Sequence, residues 1–201
     1  MRPDPARLAA QAQAALSRAD WPAAVEALRG LIALAPKPPG GLVHNLALAL
    51  KHAGRPKEAL AEFDRALKLE PGHLKAIYER AALLMETNRP AEALAGFEAY
   101  LKADPQDSDA RRNRARLLLA LGRWPEAEAA FAAFSDEEGE LAQLRLAAEQ
   151  GRAEEAATRA RALMARPEAR AAVLKTLTAS GRGSLPLKVA RLLSDQNRPG
   201  S

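Results

Sequence analysis

Three histidines are the side chains in this chain with the greatest capacity for metal binding or proton transfer. His44 and His52 are eight residues apart and could share one helix face. Two helical turns would separate them by about 12 Å, which is too far for one metal ion without further ligands. His73 follows Pro71 and Gly72, in a turn between helices. The sequence therefore predicts no metal site.

Other arrangements that support catalysis are also missing from the sequence. The chain has no cysteine, so it offers neither thiolate ligands nor disulfides. The glycine-rich stretch at 181–184 follows a predicted helix and lacks the lysine of a phosphate-binding loop. We therefore predict that the protein is not an enzyme and needs no cofactor.

A short motif recurs along the chain and defines the elements that carry these side chains. Four hexapeptides share the order Gly or Asn, Arg, two variable residues, Glu and Ala; they begin at Gly54, Asn88, Gly122 and Gly151. The alanines of the first three are 34 residues apart, and the fourth follows after 29. A period of this size indicates stacked helical hairpins.

The composition agrees with an all-α fold. Apolar residues make up 48% of the chain and aromatic residues only 4%, so most of the apolar content is Ala and Leu, which favour helices. The net charge of +5 is modest, and no stripe of Lys or Arg with interleaved aromatics indicates nucleic-acid binding. No run is long enough to span a bilayer, and the N-terminal residues do not resemble a signal peptide, so we expect a cytoplasmic protein.

We predict one superhelical domain over 1–194, built of five to six hairpins, with a disordered polar tail over 195–201. Glycine or asparagine ends the first helix of most hairpins, and proline often follows in the turn or closes the unit. The predicted units cover about 5–38, 40–73, 74–107, 108–135, 137–167 and a degenerate 168–194.

These positions resemble the bacterial-type tetratricopeptide repeat (TPR). The second unit carries the pattern most fully, through Leu46, Ala47, Leu50, Gly54, Ala59, Phe63, Ala66 and Pro71. The resemblance implies a right-handed α-solenoid whose first helices line a concave groove that commonly holds a peptide or a partner's helix. The groove residues that this register implies are His44, Asn45, Lys75, Tyr78, Arg112, Asn113 and Arg116.

One subtype of the family clamps a terminal carboxylate with Lys and Asn side chains from successive repeats. Asn45 and Lys75 fit that clamp. Ala9 and Glu79 do not, and Glu79 would repel the carboxylate that the clamp should hold. The sequence therefore does not favour this activity.

The resemblance favours a non-enzymatic scaffold for a protein or peptide partner. Lys75, Arg112 and Arg116 would suit an acidic partner. We expect a monomer or a weak homodimer, since the apolar residues over 185–193 could cap the stack or pair with another copy. The alternative is an accessory repeat module of a larger enzyme system, such as a sulfotransferase or a glycosyltransferase.

Overall fold

The computed structural model describes residues 4–179. Over these residues the chain forms eleven α-helices, a short 3-10 helix at Pro167–Ala169 and no strand. The α-helices are α1 (Pro5–Ser17), α2 (Trp21–Leu34), α3 (Gly40–His52), α4 (Pro56–Leu69), α5 (Leu74–Glu86), α6 (Pro90–Ala103), α7 (Ser108–Ala120), α8 (Trp124–Phe131), α9 (Glu137–Glu149), α10 (Ala153–Met164) and α11 (Arg170–Thr178).

The helices pack in successive pairs. Helix α1 packs against α2, α3 against α4, α5 against α6, and α9 against α10. Neighbouring pairs are joined by further contacts of α2 with α3 and of α4 with α5. The predicted all-α, TPR-like α-solenoid fold is therefore confirmed.

Of the described residues, 4–113 form one compact unit and 114–179 form a second. The predicted division into hairpin units and a single domain over 1–194 stays a prediction. The second half of the degenerate last unit, its apolar residues over 185–193 and the tail at 195–201 lie outside the described residues.

The recurring hexapeptide forms the turn inside each hairpin. Gly54 ends α3 with φ +72°, in the left-handed region that glycine enters without a steric penalty. The Arg55 N–H then donates to the Leu50 carbonyl at 2.9 Å, as in a Schellman motif. The same bond closes the other three turns, in which Asn88, Gly122 and Gly151 also have positive φ.

The Arg and Glu of the hexapeptide pair with each other at the start of each second helix. Arg55 donates from Nε and Nη2 to the two carboxylate oxygens of Glu58, both at 2.7 Å. Equivalent pairs are Arg89–Glu92, Arg123–Glu126 and Arg152–Glu155. Because these pairs are largely exposed, solvent screens them and their contribution to stability is small. Their recurrence explains why the motif keeps both residues.

The turn of the first hairpin departs from this rule and leads to a stability prediction. Ala19 occupies the left-handed position with φ +55°, where its Cβ is unfavourable. We expect Ala19→Gly to stabilise the protein by up to about 1 kcal/mol, because glycine removes that strain. Urea denaturation followed by circular dichroism at 222 nm measures the change.

A matched alanine-to-glycine control lies in α1. Ala10 is exposed in the middle of this helix, where glycine should cost about 1 kcal/mol. The two substitutions should therefore shift the urea midpoint in opposite directions. A destabilising effect of Ala19→Gly would contradict the strained turn.

The core follows the 34-residue period. Ala59, Ala93 and Ala127 are fully buried. Their small side chains allow the two helices of a hairpin to approach closely. Four residues further on, the second helices bury Phe63, Phe97 and Phe131, each at most 1% exposed. Of these rings, Phe63 lies 5.8 Å from His44 on α3 and Phe97 lies 5.4 Å from Tyr78 on α5.

Candidate functional site

An open cavity of about 400 Å³ lies in the first unit, between α3, α5, α6 and the start of α7. Two hydrogen bonds fix where α5 and α7 begin. The imidazole Nδ1 of His73 accepts the Ala76 N–H at 3.2 Å, and Asp107 Oδ1 accepts the Ala110 N–H at 2.8 Å. The residues that line the cavity are His44, Leu48, Leu74, Lys75, Tyr78, Glu79, Tyr100, Asp107 and Asp109.

Two tyrosines contribute rings to the cavity wall. The Tyr78 ring meets Tyr100 edge-on at 5.2 Å and the buried Phe97 at 5.4 Å. The Tyr100 hydroxyl donates to Asp107 Oδ2 at 2.9 Å, and Asn113 Nδ2 donates weakly to the Tyr78 hydroxyl at 3.4 Å. Because each ring is held from its polar end or its edge, both are positioned before any ligand binds.

His44 is the most deeply buried polar residue of the wall. Only 5% of it is exposed, and its ring lies 4.7 Å from His73 and 5.8 Å from Phe63. Its Nε2 atom is buried without a hydrogen-bond partner. Burial lowers the pKa of His44 below its usual value of 6.5, and the nearby His73 lowers it further. Burial therefore favours the neutral form of the imidazole.

Carboxylates dominate the charge of the cavity. Burial raises the pKa of Tyr78, and the charges of Asp109, Asp107 and Glu79 raise it further. The pKa of Tyr100 rises to about 12, chiefly because its hydroxyl donates to Asp107. In both tyrosines the nearby carboxylates contribute to the raised pKa, because negative charge disfavours ionisation of a phenol.

Lys51, which does not line the cavity, partly neutralises the charge of the Glu79 carboxylate in the cavity wall. Lys51 Nζ lies 3.0 Å from Glu79 and 3.3 Å from Glu86. Burial opposes the charge of Lys51, but its hydrogen bonds to these two carboxylates outweigh that effect and leave its pKa raised. The Glu79 side chain on α5 is thereby held in place by Lys51 on α3.

Four of the seven predicted site residues meet at this cavity. His44, Lys75 and Tyr78 line it, and Asn113 contacts Tyr78. His44 and Asn113 are buried, whereas Lys75 is exposed. The participation of these residues in binding stays a prediction.

The other three predicted residues do not line the cavity. Asn45 is exposed on α3, and Arg112 is half-buried on α7. Arg116 belongs to the second unit, where its guanidinium donates to both oxygens of Glu138 at 2.5 and 2.7 Å. The basic charge of Arg116 is therefore already compensated.

Tyr100 and Asp107 are polar residues of the cavity wall that sequence reasoning missed. At the repeat position of Tyr100, the second predicted hairpin has Ala66 and the fourth has Phe134. The Tyr100 hydroxyl is therefore a polar group at a position that is apolar in these two hairpins. Asp107 lies just before Ser108, the first residue of α7, where a helix cap is expected. A polar group at a core position was the signal that could have found this pair.

The described part of the chain carries neither a cluster of metal ligands nor a helix that could span a membrane. No group of three or more His, Asp or Glu residues between 4 and 179 is arranged to hold a metal ion. None of the helices over the same residues has the length and apolar character needed to cross a membrane.

Stacked hairpins with a lined cavity among their first helices define a helical-repeat protein. Sequence models of the tetratricopeptide repeat match the chain at residues 9–73 in one case and at 50–112 and 89–148 in another. The chain therefore belongs to the tetratricopeptide repeat family.

Solved structures of TPR proteins share this fold. A TPR protein from Parabacteroides merdae is 20% identical with a TM-score of 0.72, covering 97% of this chain and 80% of its own. MamA from Desulfovibrio magneticus RS-1 is 18% identical with a TM-score of 0.65, and the match covers 98% of this chain and 100% of the MamA chain. The TPR2B domain of yeast Sti1, solved in complex with pHsp70, is 21% identical with a TM-score of 0.50, covering 56% and 94%. No curated protein sequence is significantly similar to this chain.

Proposed function

We propose that this protein is a non-enzymatic scaffold that binds a peptide or a helical segment of a protein partner. The cavity between α3, α5 and α6 is the centre of that contact. The observation that carries the proposal is the convergence of His44, Lys75 and Tyr78, three residues implied by the TPR register, on one open cavity. A pocket with apolar walls and a few directed polar groups is the usual form of a recognition site.

The family supports this type of binding. The Sti1 domain is a TPR protein solved in complex with pHsp70. The carboxylate clamp of one TPR subtype is disfavoured here, because Glu79 lies in the cavity wall. The partner of this chain therefore binds at the cavity through contacts other than a carboxylate clamp.

The acidic character of the partner stays a prediction, as do a cytoplasmic location and a monomeric or weakly dimeric state. The prediction of an acidic partner rested on Lys75, Arg112 and Arg116. Arg116 pairs with Glu138, and the cavity wall carries three carboxylates. The charges of the cavity itself thus favour a basic group of the partner.

Blocking the cavity tests the proposal. Leu48 is half-buried on α3 and lines the cavity, so Leu48→Trp would fill it. Peptides selected from a displayed random library against the wild-type protein, measured by fluorescence anisotropy, should bind this variant at least about tenfold more weakly.

The matched control is Leu67→Trp, at a half-buried leucine of α4 that does not line the cavity. Helical circular dichroism and the urea midpoint establish that both variants are folded. Equal binding of the selected peptides by both variants, or a library that yields no binder, would remove the proposed function.

A further inference from the structure

We propose that the cavity between α3, α5 and α6 receives an arginine side chain of the partner. This proposal rests on the proposed function and names the chemical group that the site recognises. This partner group is positively charged, whereas the basic residues predicted from the repeat register favoured an acidic partner.

Hydrogen-bond acceptors surround the cavity on several sides. Asp109 at the start of α7 is exposed and makes no ion pair with the described residues. Glu79 on α5 and Asp107 before α7 add two more carboxylates. A guanidinium has five N–H donors in a fixed fork, so it can satisfy acceptors that lie in different directions.

The unpartnered nitrogen of His44 is a second and independent sign of a ligand. His44 lines the cavity and is only 5% exposed. Its Nε2 atom is buried without a hydrogen-bond partner. A buried polar atom without a partner is unfavourable. In its Nδ1–H tautomer a neutral imidazole accepts a hydrogen bond at Nε2 from an N–H of the ligand.

The tyrosine rings favour arginine over lysine. Tyr78 and Tyr100 both line the cavity, and their rings are 5.2 Å apart with planes at 69°. A planar guanidinium stacks on aromatic faces and is more weakly hydrated than an ammonium group. The volume of about 400 Å³ leaves room for such a side chain.

Lys75 is the basic residue of the wall and separates the two kinds of ligand. It is exposed at the first turn of α5, and its charge opposes a cation in the cavity. Removing this charge should strengthen binding of an arginine side chain and weaken binding of a carboxylate.

Titration of the full chain with N-acetyl-arginine amide tests the assignment. The protein has only three histidines, so ¹⁵N-labelled imidazoles can be followed individually by NMR. We expect the Nε2 resonance of His44 to move and to saturate. N-acetyl-citrulline amide has the same shape without charge and should require at least about tenfold higher concentration.

Two substitutions should act in opposite directions. Asp109→Asn should weaken binding of the arginine amide about three- to tenfold, and Lys75→Gln should strengthen it about two- to threefold. Glu26→Gln, at an exposed carboxylate of α2 outside the cavity, is the control and should change nothing.

The outcomes separate this proposal from the proposed function. If citrulline or N-acetyl-glutamate amide moves His44 as readily as arginine does, the arginine site is wrong, while peptides sensitive to Leu48→Trp would still support the scaffold. Weaker binding of the arginine amide by Lys75→Gln would overturn the arginine site as well. Spermidine, as a free polyamine, should bind more weakly, and tighter binding would overturn the assignment to a peptide side chain.

Discussion

Gly139→Ala will destabilise the second unit by about 3 kcal/mol, at the upper end of the usual cost of overpacking. A Cβ at Gly139 would overlap the carbonyl oxygen of Phe134 and lie 2.9 Å from its carbonyl carbon. These are backbone atoms, so no rotamer change can relieve the contact. Helix α9 begins only six residues after α8 ends at Phe131, and the Gly139 N–H donates to Asp136 Oδ1 at 3.0 Å.

Urea denaturation and hydrogen exchange measure this effect. Amides of α8 and α9 should lose protection more than those of the first unit, because helical repeats unfold in local steps. Gly72→Ala is the matched control, since a Cβ at Gly72 would meet nothing within 4 Å. The control should change stability by less than about 0.5 kcal/mol. Equal stabilities of the two variants would show that α9 does not approach Phe134 so closely.

Phe97→Ala will destabilise the first unit by about 3–5 kcal/mol, because a fully buried ring leaves a cavity behind. Phe97 also supports the candidate site, since its ring meets Tyr78 edge-on at 5.4 Å. The substitution should therefore weaken binding of the selected peptides as well as lower the urea midpoint.

The control for this prediction is Leu34→Ala at the end of α2. Leu34 is 37% exposed, so its truncation removes little buried surface. It should cost less than about 1 kcal/mol. A loss of similar size in the two variants would contradict the buried position of Phe97.

The sequence predicted the turns and the apolar core well, because both depend on local chemistry. Gly54, Gly122 and Gly151 end helices, as their conformational freedom indicates, and Phe63 and Phe97 repeat a buried position. Helix propensity, capping and a 3.6-residue period act over a few residues. The 34-residue recurrence then identified the family without any knowledge of side-chain contacts.

The candidate site could be predicted only in part. The register placed His44, Lys75 and Tyr78 in one groove, and all three line one cavity. Their role in binding stays a prediction. It could not foresee that Arg116 would be compensated by Glu138. That pair joins α7 to α9 across 22 residues, where the repeat had already lost its 34-residue spacing.

What the sequence by itself determined is the helical-repeat fold, its hairpin turns and the identity of the buried positions. The tertiary structure alone decided the charge and chemistry of the cavity: the unpartnered Nε2 of His44, the Tyr100–Asp107 hydrogen bond and the close approach at Gly139. The physical reason is the distance along the chain over which each interaction acts. Helix formation is set by residues three to four apart, whereas a hydrogen bond between helices depends on packing to within about 0.5 Å.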